Sequence, residues 1–399
     1  MKITLVCHDI PYPPIHGARV DTWRRIKAFS QFGVELQIIC WHSKTPKAEE
    51  ISEIEKYVKK INLIPFKKTL GSSVKRIIDL WHYPLEVTSR IVRGEELSNL
   101  LSDVSTFNPD VIWLDHVHGG EVAFELTKNL HLPLITRAHN IEHLYYRRLL
   151  ALTTDLKSKI KRHFSVSKLE TYEKNVLKNS VLFYDISIDD LKFWQENGFA
   201  NGKYLPPIVE FPTANKSEKV ATVTNKNPEY DVVFLGNLNA ENNVASLIWF
   251  IQEVFPIIRS ALPSIKVLIA GSNPVKKVTQ ICENQEGIDF QINPVSSSAI
   301  YNSGRVLINP VATGSGVSIK SIEMLITGRP IVSKPQGVAG LPEEVKQYFN
   351  IAVDAKDFAA EIIKLLSNPQ TVNVEKELLE SLFGYQVVER VVSDIKSLL

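Results

Sequence analysis

The sequence predicts an α/β protein made of two doubly wound, Rossmann-like domains, and three observations carry that expectation. Short apolar runs rich in β-branched residues recur along the chain, each is followed by a longer stretch with helical spacing, and the runs are apolar on both faces. That pattern suits strands of parallel sheets covered by helices on both sides. In the first half the runs are residues 3–7, 35–40, 111–114, 134–136 and 181–184; in the second they are 232–235, 266–270, 306–308 and 330–333.

The 399 residues suffice for two or three domains at roughly 150 residues each. Residues 1–205 are read as the first domain and 231–374 as the second. Between them 206–230 is rich in Pro, Asn, Thr and Lys without a sustained period, and reads as a linker. In the last segment, 375–399, Leu378, Leu379, Leu382, Val387, Val388, Val391, Val392 and Ile395 are spaced as in an amphipathic helix interrupted near Gly384. It is expected to cross back to the first domain. No internal repeat of fixed period is visible.

Composition excludes several classes. With 44% apolar and 23% charged residues the chain is neither collagen-like nor disordered. Cys7, Cys40 and Cys282 are too few and too dispersed for a disulfide framework or a zinc site, which fits a reducing cytosol. The apolar run of MKITLVCHDI is too short for a signal peptide, and no uncharged apolar run of about 18 residues suggests a membrane span. The net charge of +2 hides a split: residues 1–205 hold 29 Lys+Arg against 24 Asp+Glu, or +5, and 206–399 hold 17 against 20, or −3. Nucleic-acid binding has little support, because the positive charges are not interleaved with a stacking platform.

Open α/β sheets bind ligands beyond the carboxyl ends of their strands, so the two domains are expected to face each other across a cleft lined by post-strand loops. Four such loops stand out. In HDIPYPPIHGARV (8–20) prolines stiffen the chain, and Gly17, before a helix expected near Asp21, lets backbone N–H groups approach an anion. The absence of G-x-G-x-x-G there excludes a dinucleotide fingerprint. In DVIWLDHVHGG (110–120) Asp115, His116 and His118 follow a strand directly and suit proton handling or sugar hydroxyls, or merely satisfy backbone. In TRAHNIEH (136–143) His139, Asn140, Glu142 and His143 offer hydrogen bonds or a helix cap; His139 and His143, four apart, lack an evident third metal ligand. In the segment 309–340, Gly314-Ser315-Gly316 leads into a helix near Ser318, and Lys320 adds charge to its first turn. Orphan N–H groups and the helix dipole make an anion site there, without the spacing of a P-loop. Glu323, one turn on, suits a ribose hydroxyl, or simply pairs with Lys320 at i,i+3.

The stretch GSGVSIKSIEMLITGRPIVSKPQGVAGL (314–341) resembles the donor-binding signature of family 4 glycosyltransferases of the GT-B fold, closest to the exopolysaccharide-type sugar transferases. The preceding segment 231–274 is similar to the start of that family's nucleotide-binding domain, and the three N-terminal motifs fall where its acceptor-binding domain has loops. The likeness covers nearly the whole chain, strongest over 231–341 and weakest over 45–105.

The resemblance implies a metal-independent, retaining hexosyltransferase that needs no cofactor. It would move sugar from a UDP- or GDP-type donor to a glycan or lipid-linked hydroxyl in surface polysaccharide or glycoconjugate synthesis. It implies that Gly236 and Asn237 lie against the donor diphosphate, with Lys320 and the amides of Gly316, Val317 and Ser318 neutralising it. Gly17 would approach the diphosphate, Glu323 would bind the ribose, and backbone near Gln291 and Ile292 would read the base. His116 or Asp115 would contact the transferred sugar, with His139 beside them in the catalytic set. Ser315 stands where the family commonly has Glu, Asn242 and Asn243 where many members have Lys or Arg, and His16-Gly17 where Gly-Gly is common. Two alternatives stay open: a nucleotide-sugar 2-epimerase-like GT-B enzyme, and a silent GT-B binding scaffold. Finally, Lys59, Lys60, Lys67, Lys68, Lys75 and Arg76 alternate with Ile61, Leu63, Ile64, Phe66, Leu70, Val74, Ile77, Ile78 and Trp81. Lys157, Lys159, Lys161 and Arg162 form a second cluster. Both are solvated faces or suit an anionic membrane, which predicts a cytoplasmic protein peripheral to the inner face.

Overall fold

The computed structural model describes residues 1–66, 70–211, 228–369 and 371–399, which form two compact units: Met1–Ile208 with Tyr385–Leu399, and Val209–Gly384.

The first unit holds a seven-stranded sheet of β1 (Lys2–Cys7), β2 (Glu35–His42), β3 (Lys60–Pro65), β4 (Val111–Asp115), β5 (Leu134–Ala138), β6 (Leu182–Asp185) and β7 (Gly202–Tyr204). All pairings are parallel, in the order β3-β2-β1-β4-β5-β6-β7. Strand alternation explains why these runs are apolar throughout. Ile3, Leu5 and Cys7 enter one core with Ile38, Trp113 and Tyr184, while Val6 enters the other with Ile39, Trp41, Ile112 and Leu114. The helices used below are α1 (Gly17–Gln31), α2 (Leu70–Asp79), α3 (Leu85–Thr88), α4 (Glu142–Leu152), α5 (Leu156–Val166) and α6 (Leu169–Asn179).

The second unit holds a six-stranded parallel sheet of β8 (Tyr230–Asn237), β9 (Val267–Ser272), β10 (Ile288–Ile292), β11 (Gly304–Asn309), β12 (Ile331–Ser333) and β13 (Phe349–Ile351), ordered β10-β9-β8-β11-β12-β13. Val232 and Phe234 face one core, Val233 the other. Here lie α7 (Glu241–Trp249), α8 (Ile319–Ile326) and α9 (Lys376–Phe383); α10 (Val387–Leu398) belongs to the first unit. α7 continues through a π turn to Ala261, and this stretch is long and apolar enough to cross a membrane. Leu247, Phe250, Ile251, Val254, Phe255 and Ile258 are nevertheless buried in the core, which accounts for its composition.

Three expectations need correction. The linker read over 206–230 cannot include its first residues, because Ile208 is buried in the first unit's core and Val209 in the second's. The rest of it, 212–227, lies outside the described residues. The C-terminal segment is two helices divided at Gly384. Leu379 and Phe383 pack in the second unit, while Val387, Val388, Val391 and Ile395 pack on the first, where Tyr184 Oη donates to Asp394 at 2.9 Å. The Lys59–Trp81 pattern is not one surface either. Its first part is β3, where Ile64 is buried and Lys60 pairs with Asp103 at 2.5 Å; Lys67, Lys68 and the side chain of Leu70 lie outside what is described.

Candidate functional site

The candidate residues divide into two groups, one in each unit. In both sheets the first strand has neighbours that continue in opposite directions, which opens a crevice at the carboxyl ends of β1/β4 and of β8/β11.

In the second unit, Gly236 and Asn237 end β8. Asn237 Oδ1 accepts from the Asn239 N–H at 3.0 Å, and its carbonyl accepts from Asn243 Nδ2 at 3.1 Å, closing the turn into α7. Across the crevice the Gly314–Ser318 loop turns through Gly316 at φ +65°, a conformation natural to glycine. A Cβ on Gly314 would lie 3.9 Å from Asn242 Nδ2, so this loop adjoins the start of α7. Ser318 caps α8 through its backbone alone, leaving the first-turn N–H groups without its hydroxyl. That hydroxyl belongs instead to a buried lattice: Asn309 Nδ2 donates to Ser318 Oγ at 3.1 Å and to Ser321 Oγ at 2.8 Å, and Ser321 Oγ donates to the Gly337 carbonyl at 2.6 Å. The loop is therefore held rigidly against the ends of β11 and β12.

Lys320 projects from the first turn of α8. Its Nζ donates to Asn243 Oδ1 at 3.0 Å and sits 4.9 Å from the Phe234 ring centroid. Burial pushes the ammonium down to about 7, and no carboxylate opposes the shift. Glu323 is partly buried one turn on. Ser315 and Val317 are partly buried in the loop. Gln291 and Ile292 end β10, an edge strand, where Ile292 pairs with Gly271 beside the end of β8. Gly271 admits no side chain, since a Cβ there would lie 2.1 Å from the Gly236 carbonyl oxygen.

In the first unit, α1 starts at Gly17, four residues earlier than the expected Asp21, because His16 caps it by accepting from the Arg19 N–H at 3.5 Å. Gly17 is exposed at the helix start. Asp115 does not fit its expected contact with a sugar. It is fully buried and accepts from Arg25 Nη2 at 2.6 Å, Thr22 Oγ1 at 2.8 Å and Trp113 Nε1 at 3.0 Å, so its oxygens are consumed in holding Arg25. Asp21 completes the network with Arg25 and Arg137; burial raises its pKa, but Arg137 and Arg25 bring it below the usual range.

His116 is differently placed. Its backbone is held at φ +61°, ψ 149°, at a cost on the order of 1–3 kcal/mol for a residue with a side chain. The ring stacks on His139 at 3.8 Å and 9°, and Nδ1 lies 3.5 Å from Glu142 Oε1. His8 lies 5.0 Å from His116 and 5.1 Å from His118, ring centre to ring centre. Burial pushes His8 and His139 well below the ordinary histidine value and His118 to about 3, so these imidazoles are neutral at pH 7. Burial would raise Glu142, but hydrogen bonding to His116 and the nearby His118 bring it below the usual carboxylate range. Among the described residues Nε2 of His116 and of His139 has no hydrogen-bond partner, although His139 Nε2 lies 3.7 Å from Asp21 Oδ2. These nitrogens can donate to or accept from hydroxyls.

His139 and His143 do not share a helix face. His139 precedes α4, and His143 Nδ1 is engaged by Glu173 of α6 at 2.6 Å. Asn140 donates to Glu142 at 3.3 Å. Sequence reasoning missed His8 and Glu173, and in the second unit Asn309, Ser321 and the tethering role of Asn243. No motif marks them, since each matters through a partner distant in sequence.

Residues 229–368 match the family model for glycosyl transferases group 1. The chain is 28% identical over 401 residues to a Klebsiella pneumoniae protein described as an uncharacterized 44.6 kDa protein in the cps region, covering 96% of this chain and 95% of that one. Among solved structures, Anabaena HepE in complex with UDP superposes with a TM-score of 0.67 at 12% identity, over 100% of both chains. Sucrose-phosphate synthase from Thermosynechococcus elongatus gives 0.67 at 13%, over 100% of this chain and 99% of that one. TarM gives 0.64 at 12%, over 99% and 96%. The fold is the pair of Rossmann-like units of the GT-B glycosyltransferases, and its second unit carries a segment like group 1 glycosyltransferases.

Proposed function

We propose that the protein is a retaining glycosyltransferase that moves a hexose from a nucleoside diphosphate sugar to a hydroxyl of a glycan or lipid-linked acceptor, in surface polysaccharide synthesis. The observation that carries this reading is Lys320: a partly buried ammonium at a helix N-terminus, tethered by a neutral amide and a ring face, with no countercharge. Such a cation is complementary to a dianionic leaving group. The match of 229–368 to group 1 glycosyl transferases supports the class, the HepE complexes with UDP and UDP-glucose support the donor type, and the cps-region relative supports a capsule-like product.

In this reading the diphosphate lies on the Gly314–Ser318 amides, Lys320 and the Gly236–Asn237 turn, and Glu323 accepts from the ribose. Departure of the diphosphate leaves an oxocarbenium-like sugar, and Lys320 with the α8 dipole stabilises the charge that develops on the leaving oxygen. These groups supply the positive potential that a metal ion would otherwise give. In the first unit, His116 offers a sugar hydroxyl its Nε2, which has no hydrogen-bond partner among the described residues. The test is calorimetric titration of UDP, GDP, ADP and their sugars into wild type and Lys320→Met. Binding of one nucleotide that is lost in the variant supports the reading; equal binding and turnover in the variant overturns it.

A further inference from the structure

We propose that the face of the first unit formed by α2 and α5 docks on an anionic lipid surface. Among the described residues, eight of the seventeen exposed large apolar side chains fall on two short stretches: Val74, Ile77, Ile78 and Trp81, and Leu152, Leu156, Ile160 and Phe164. Trp81 is 75% exposed and Leu156 73%. Clustering on this scale is not the ordinary scatter of apolar residues over a surface.

The stripes point outward for a geometric reason. Leu156, Ile160 and Phe164 recur every four residues on one side of α5, and Ser165, toward its opposite side, is buried and donates to Glu86 Oε1 of α3 at 2.6 Å. On α2, Val74, Ile77 and Ile78 share a side, while Asp79, turned away from them, is buried and engaged by Arg93 at 2.7 Å. Both helices contact α3, so the stripes flank one element of one unit.

Charge selects the occupant. α5 carries Lys157, Lys159, Lys161 and Arg162 and no Asp or Glu from Leu156 to Val166; the acidic Asp155 is spent as N-cap, accepting from the Ser158 N–H at 2.9 Å. Lys157 and Lys159 lie on the two flanks of its apolar stripe, and Lys75 is exposed beside that of α2. An apolar stripe bordered by cations is the pattern of a helix lying in a lipid interface. A second copy is the poorer fit, because a two-fold contact would oppose these lysines to one another with no carboxylates between them. The inference does not depend on sugar transfer, since binding is read without turnover.

The experiment is flotation of the full chain with vesicles of phosphatidylcholine alone and of phosphatidylcholine with phosphatidylglycerol, at low and high salt. Wild type should float with the anionic vesicles, less with the neutral ones, and less in high salt. Trp81 is the only exposed tryptophan among the described residues, so its emission should shift to the blue on binding, and Trp81→Phe should remove the shift. Leu156→Ser/Ile160→Ser should weaken binding to both vesicles, while Lys157→Glu/Lys159→Glu/Lys161→Glu should abolish the anionic preference, by roughly fivefold or more per residue. All are exposed substitutions, and unchanged far-UV circular dichroism checks folding. No flotation, equal flotation with both vesicles, or a dimer in sedimentation equilibrium that Leu156→Ser/Ile160→Ser dissolves without any vesicle binding would overturn the proposal.

Discussion

The two crevices share a topology and differ in chemistry. At β8/β11 a cation waits without a countercharge on a loop pinned by the Asn309–Ser321–Gly337 lattice. At β1/β4 Asp115 and Asp21 are matched by Arg25 and Arg137, and beside them stand the neutral imidazoles of His8, His118 and His139 and the Glu142 carboxylate next to His116. The same strand order can therefore build an anion cradle or a desolvated hydroxyl site. Which it builds depends on whether the unit itself satisfies the charges brought to the strand ends.

Substitutions can break that contrast. The largest effect is expected at the satisfied network. Asp115→Asn leaves the buried Arg25 and Arg137 to share the single carboxylate of Asp21 and should cost about 3–5 kcal/mol in urea unfolding, as for a broken buried ion pair. Lys320→Met should do the opposite: no loss of stability, because a desolvated ammonium is removed, but a fall of about 10²–10³ in kcat with the preferred donor. Third, binding of a nucleoside diphosphate sugar should weaken above pH 7 in calorimetry. Lys320 holds its proton below about 7 and loses it above, and only the protonated form complements the fixed phosphate charges. Affinity is full at pH 6 and falls toward tenfold per pH unit, with proton uptake on binding at pH 8 seen in buffers of different ionisation enthalpy; a flat profile would remove Lys320 from the phosphate site. The smallest effect separates strain from chemistry at His116. His116→Gly should be more stable than His116→Ala by about 1 kcal/mol in thermal unfolding, since glycine accepts φ +61°. Both should lose activity equally.

Much of the fold was legible because it depends on period. Strands such as 3–7 and 111–114 are apolar on both faces wherever a sheet is covered twice. The strands missed were the edge ones. β3 was read as part of a basic amphipathic surface because Lys60 and Asn62 alternate with Ile61 and Leu63, as expected of an edge strand with less burial. The anion loop was legible in Gly314, Gly316 and Lys320, whose chemistry is local. Asp115 was misjudged because sequence shows a carboxylate after a strand but not Arg25, ninety residues away, that consumes it.

The sequence by itself determined the two doubly wound sheets and the glycine-rich helix start with its lysine, because hydrophobic period and turn chemistry act between near neighbours. Only the tertiary structure decided which charges are spent and which are left over. Asn243 tethers Lys320 across 77 residues, Asp394 of the last helix receives Tyr184 across 210, and His116 stacks on His139 from the next strand. A side chain's protonation and availability depend on what is packed against it, and packing in a parallel sheet brings together residues that the crossover helices keep far apart in sequence.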